Sequence, residues 1–120
     1  MADDRELARM FKVLAVTPRV RIIQLLKNRA LCVGALSARL GITPGAVSQH
    51  LQVLKQAGLV KGEKRGYFMH YQLNHETISP WKEDLEGFFT PPAELEPCNF
   101  TKPGGKPCVT VKPNVRNRKS

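Results

Sequence analysis

The chain has 120 residues, enough for one well-buried core and too few for two. Its 42% hydrophobic and 24% charged residues suit a globular protein, and no apolar run approaches the ~20 residues that span a bilayer. Asp3, Asp4, Arg5 and Glu6 stand where a secretory leader needs basic and then apolar residues, so a cytoplasmic chain with no membrane partner is expected.

The net charge of +9 is unevenly spread. Residues 1–29 carry 7 basic and 3 acidic side chains, and residues 30–74 carry 5 and 1. The balance reverses over 75–96, with 1 and 6, and the final stretch 97–120 carries 6 basic groups and no acid. A basic surface of this kind favours a polyanionic partner, although solubility alone also uses such charge.

In chain order, Leu7, Met10, Phe11 and Leu14 repeat at helical spacing behind an acidic start that suits the positive end of a helix dipole. Thr17-Pro18 opens a second helix, apolar around most of its girth through Val20, Ile22, Ile23, Leu25 and Leu26, which makes it the expected centre of the core. Residues 28–31 read as a break. Val33, Leu36 and Leu40 then mark a short third helix, with Cys32 at or just before its start and Gly41 in a tight connection after it.

Residues 43–58 predict a helix whose two ends and two faces are all readable. Thr43 caps the orphan amides of the first turn, Pro44 suits the first helical position, and Gly58 offers a left-handed stop. At about 100° per residue, Val47, Leu51 and Leu54 share one face, while Gly45, Ser48, Gln49, Gln52, Lys55 and Gln56 share the other. That second face has no Asp or Glu, and its side chains can donate to base edges or phosphates. Helix, glycine turn and capped helix follow the helix-turn-helix order. The plainer alternative is a helical hairpin.

The period then changes. Leu59, Val60, Lys61, Gly62, Glu63 and Lys64, then Arg65-Gly66, then Tyr67, Phe68, Met69, His70, Tyr71, Gln72 and Leu73, predict two strands around a glycine turn. Lys61, Lys64 and Arg65 place basic groups at or near the hairpin tip, where a duplex backbone can be gripped. A hairpin alone is marginal, and packed beside a helix-turn-helix it becomes a wing. Ser79-Pro80 suggests the start of a fifth helix carrying Trp81, Leu85, Phe88 and Phe89. The apolar stripes of the first and last helices exceed what one small core must cover, which points to a homodimer.

The fold class expected is therefore mainly α with a small β-hairpin, a winged helix-turn-helix of about five helices and a two-stranded wing. Its DNA-binding and dimerisation domain spans residues 1–90. Residues 91–120 form a proline-rich basic tail, with prolines at 91, 92, 97, 103, 107 and 113, through which no helix can run. No Cys-x-x-C pair, Cys–His nucleophile or glycine-rich phosphate loop is visible, so an enzyme is not expected. The rival to a DNA-binding repressor is a winged helix used as a protein-interaction module. The acid-free helix face and basic wing favour double-stranded operator DNA.

The chain resembles the ArsR-type (arsenic-repressor) family of winged-helix regulators over about residues 5–89. The resemblance is carried by Thr17-Pro18, Arg21-Ile22, Leu36-Ser37, Leu40-Gly41, Ser48-Gln49-His50-Leu51, Leu54, Ala57-Gly58-Leu59-Val60, Arg65-Gly66 and Tyr71-Gln72-Leu73. It implies a dimeric repressor that binds palindromic operators and lets go when a metal ion, metalloid or oxidant reacts with a sensory site. It implies base reading by Ser48 and Gln49, with Lys64, Arg65 and Tyr67 in the wing. His50 lies about 60° from Val47 on the helical wheel and is expected to be packed and hydrogen-bonded rather than a base reader.

Arsenic-responsive members often carry Leu-Cys-Val-Cys at the start of the third helix, where this chain reads Leu31-Cys32-Val33-Gly34. Ser37 stands where some carry a further thiol. The Asp and His ligands of zinc-type members are absent from the last helix, which offers Trp81, Leu85 and Phe88, and His75 has no partner at that spacing. Cys98 and Cys108 can be brought together by a reversal at Gly104-Gly105, and with Cys32 they make three sulfurs, the donor set of a trivalent arsenic, As(III), or antimony, Sb(III), centre. A redox disulfide and a pair of incidental tail cysteines are the alternatives. No organic cofactor is expected.

Overall fold

The computed structural model describes residues 2–98, 100, 101 and 103–105. The chain divides into two units at Phe89, and eight regular elements make up the first of them. Helix α1, Asp4–Leu14, begins with a reciprocal capping box. Asp3 Oδ1 accepts from the Glu6 amide at 2.9 Å, and Glu6 Oε1 accepts from the Asp3 amide at 3.3 Å. Met10 is its buried residue, while Phe11 stays 37% exposed.

Helix α2, Thr17–Leu25, starts without the side-chain cap that Thr17 suggested. Val16 takes the cap position, its carbonyl accepts from the Arg19 and Val20 amides at 2.9 and 3.1 Å, and Pro18 sits in the first turn. Only one side of α2 is deeply buried, through Ile22, with Leu26 just beyond its end; Val20 lies at the surface.

Residues 28–31 are not all a break. Leu31 and Cys32 form a short strand, β1, antiparallel to β3 (Phe68–Leu73), which also pairs with β2 (Val60–Arg65). The wing sheet therefore has three strands in the order β1-β3-β2, one more than expected. Between β1 and β2 lie α3 (Val33–Leu40) and α4 (Pro44–Gln56). Gly66, with φ 65°, occupies the first position of the two-residue turn between β2 and β3, where a right-twisted hairpin calls for positive φ.

Helix α5 runs His75–Phe89, so Ser79-Pro80 is not its start but part of its body. Asn74 opens it instead. The Asn74 carbonyl accepts from the Thr77 and Ile78 amides, and its Oδ1 accepts from the Glu76 amide at 3.3 Å. Ile22, Leu26, Leu36, Leu40, Val47, Leu51, Leu54, Leu59, Val60 and Leu73 form one core cluster. Each such side chain contributes about 1.5 to 3 kcal/mol when fully buried, so the core fixes α4 against α2, α3 and the root of the sheet. Among the described residues of the second unit none is helical.

Candidate nucleic-acid interface

Helix α4 is held at both ends by local chemistry. Thr43 Oγ1 accepts from the Ala46 amide at 3.1 Å, and Pro44 takes the first helical position. At the far end Gly58 has φ 82°, its amide donates to Lys55 O at 2.9 Å, and Leu59 N donates to Leu54 O at 2.9 Å. Val47, Leu51 and Leu54 are buried beneath it. Gly45, Ser48, Gln49, Gln52 and Lys55 are all exposed, as is Thr43, and none of them is acidic. A bare helix face of this composition offers donors and acceptors at the width of a major groove.

In the wing, Lys61, Lys64, Arg65 and Tyr67 are exposed, and Tyr67 is 96% accessible. Lys64 and Arg65 are successive strand residues and project to opposite faces of the hairpin. Arg65 Nη2 meets Glu63 Oε1 at 3.3 Å, with both side chains more than half exposed, a pair worth little in water and readily exchanged for a phosphate.

Sequence reasoning gave no structural role to two arginines of α2. Arg21 donates to Leu40 O at 3.4 Å and to Arg39 O at 3.1 Å, so a cation satisfies carbonyls at the C-terminal end of α3, where the helix dipole favours it. Arg19 donates through Nε to His50 Nδ1 at 3.3 Å and through Nη1 to Val13 O at 3.2 Å. Nothing local predicts either bond, since the partners lie 19 and 31 residues away for Leu40 and His50. His50 is half-buried on α4, and Ser37 Oγ donates to Ile42 O across the tight turn.

Of the three cysteines, Cys32 is the N-cap of α3, half-buried and without a side-chain cap bond. Cys98 is exposed and belongs to the second unit. Cys108 lies outside the described residues. Among the described residues no three His, Cys, Asp or Glu side chains gather into a group able to hold a metal ion.

A capped helix α4 following α3 through a glycine turn, flanked by a hairpin, is the winged helix-turn-helix of DNA-binding regulators. The family model "Bacterial regulatory protein, arsR family" matches residues 18–61. The HTH-type transcriptional regulator Rv2034 of Mycobacterium tuberculosis is 37% identical over 90 residues, covering 75% of this chain and 84% of that protein. The transcriptional repressor SdpR of Bacillus subtilis is 32% identical over 65 residues, covering 54% and 72%. Among solved structures, a possible transcriptional regulator for arsenical resistance superposes with TM-score 0.62 at 33% identity, covering 68% of this chain and 84% of that one. The homodimeric winged helix-turn-helix domain of Mb0332 from Mycobacterium bovis gives TM-score 0.57 at 27% identity, covering 72% and 86%. The chain belongs to the ArsR family of bacterial regulatory proteins, and it is a transcriptional regulator, not an enzyme. No helix among the described residues is long and apolar enough to cross a membrane.

Proposed function

We propose that the chain is a homodimeric repressor that reads palindromic operator DNA with α4 and is released by a thiophilic inducer. The observation that carries the reading is the exposed, acid-free face of α4, with Ser48, Gln49 and Gln52 as base readers and Thr43, Gly45 and Lys55 at the flanking backbone. Lys64, Arg65 and Tyr67 of the wing hold the duplex beside it. Repression agrees with the likeness to SdpR, and the homodimer with the likeness to the Mb0332 domain. Phe11 and Phe88 meet edge to face at 5.4 Å between α1 and α5 and remain 37% and 52% exposed, an aromatic surface that a second copy would cover. The paired recognition helices would then stand about 34 to 36 Å apart, one turn of duplex. Such a dimer acts in the cytoplasm, where its operator is.

For the inducer, trivalent arsenic or antimony held by Cys32, Cys98 and Cys108 is the reading the chemistry favours, with residues 1–90 as the DNA-binding and dimerisation domain and 91–120 as the tail that supplies two of the sulfurs. Cys32 fits a thiolate donor, since it heads α3 with a sulfur not spent on capping. The likeness to an arsenical-resistance regulator points the same way. The test is release of a fluorescent operator duplex by arsenite. Parent protein should dissociate, whereas Cys32→Ser, Cys98→Ser and Cys108→Ser should bind DNA normally and stay bound. Equal release from the two tail variants would exclude the tail as sensor.

A further inference from the structure

Across the three-stranded sheet, Cys32, His70 and Glu63 form one row, because Cys32 is opposite His70 in the β1–β3 pair and His70 is opposite Glu63 in the β2–β3 pair. Directly opposed residues of antiparallel strands project to the same side, with Cβ atoms about 4.5 to 5.5 Å apart. The opposite parity, Val60 with Leu73, is buried in the core, so this row occupies the outer face. Yet Cys32 and His70 are only partly exposed, and the His70 Nδ1 atom is fully buried with no hydrogen-bond partner. A buried ring nitrogen left unpaired costs on the order of 1 to 3 kcal/mol, which asks what it is for.

We infer that Cys32 and His70 form a two-donor site for a soft monovalent cation of the Cu(I) and Ag(I) type, joining the start of α3 to the central strand of the wing. Cys32 is the N-cap of α3, and its Sγ lies 3.9 Å from where a Cβ on Gly34 would stand, so the sulfur sits over the first helical turn, whose amides lack intrahelical partners. Those amides suit a metal-bound thiolate. The third member of the row, Glu63, is more than half exposed and offers a hard carboxylate that suits a soft ion poorly, which leaves one sulfur and one imidazole nitrogen. Thiolate and imidazole both suit Cu(I), and two donors suffice for an ion that accepts linear coordination. One thiolate and one monovalent ion also make a neutral unit, the cheapest charge state for a half-buried place. Three sulfurs for a trivalent metalloid would be a different site that shares only Cys32.

The test uses Ag(I) on the full chain carrying Cys98→Ser and Cys108→Ser, which leaves Cys32 as its one thiol. Native mass spectrometry should find one Ag(I) per chain, and the ¹⁵N resonance of His70 Nδ1 should shift while those of His50 and His75 stay in place. Adding His70→Gln should weaken Ag(I) binding by at least the 10- to 100-fold that loss of an outer-shell partner brings. The chemical-shift arm needs no His70 variant, so a folding defect in His70→Gln does not blunt the test. A Nδ1 resonance that ignores Ag(I), or equal affinity in folded His70→Gln, overturns the site. Arsenite release is scored separately on proteins that retain the tail cysteines, so the failure of either reading leaves the other standing.

Discussion

Arg19 on α2 donates through Nε to His50 Nδ1 on α4 at 3.3 Å, and the same guanidinium reaches back to Val13 O at 3.2 Å. One side chain thus ties the recognition helix to α2 and to the last turn of α1. His50 stands two residues after Ser48 and one after Gln49, so the bond helps fix the rotation of α4 about its own axis, which decides where those two point.

His50→Ala should therefore lower stability by about 1 kcal/mol, the usual net worth of such a bond, with part of the loss recovered in His50→Gln. Urea denaturation of both variants measures it. A His50→Ala protein as stable as the parent would mean that packing alone sets the helix.

Gln49→Ala should weaken binding to the cognate operator by about 1 to 3 kcal/mol while changing affinity for random duplex little. Lys64→Ala should weaken both and lower the slope of affinity against salt by about one counterion. Fluorescence anisotropy on the two duplexes at several salt concentrations separates the behaviours. An unchanged ratio of specific to random affinity in Gln49→Ala would remove α4 as the reader.

Phe88→Asp should convert dimer to monomer in sedimentation velocity and weaken operator binding, since one reading head then engages one half-site. The Phe11–Phe88 ring pair at 5.4 Å makes Phe11→Asp the matching test on α1. A dimer that survives both changes lies on another surface.

Gly58→Ala should cost more than about 1 kcal/mol. The residue has φ 82°, and a Cβ there would come within 2.9 Å of Thr77 Oγ1 at the start of α5, so strain and collision act together. Thr77→Ala in the same chain removes Oγ1 and so relieves only the collision, and comparison of thermal midpoints with Thr77→Ala alone, which also lacks the Asn74 Nδ2 bond to that oxygen, divides the cost.

Most of α4 was legible because its evidence is local: a Thr-Pro start, an apolar period and a Gly stop lie within sixteen residues, and the exposed set read from the helical wheel is exposed. Strand β1 was not, because two residues carry no period and the strand exists only through its pairing with His70 and Tyr71. Ser79-Pro80 misled for a physical reason. Proline fits a first turn so well that the pair resembles a start, while the operative signal is Asn74, whose carbonyl and side chain begin the helix earlier. In the candidate site, the exposure of Ser48, Gln49 and Lys64 was readable, whereas the support from Arg19 and Arg21 was not, since it depends on which helices come to lie side by side. The row that joins Cys32 to His70 was invisible for the same reason.

Pro80 has no amide to donate, so the Glu76 carbonyl four residues earlier lacks its helical partner, and α5 loses one rung within its body. Before that point the helix is seated, with Thr77 over Gly58 and Trp81 against the core just beyond. Phe88 and Phe89 lie eight and nine residues past it, about 13 Å along the axis. In a pair joined through those rings, α5 is a lever with its fulcrum at Pro80: a 10° change of bend carries the far end about 2 Å. The distance between two reading heads would then be tuned by an angle, and the missing rung at Pro80 would bear on the half-site spacing such a pair could span.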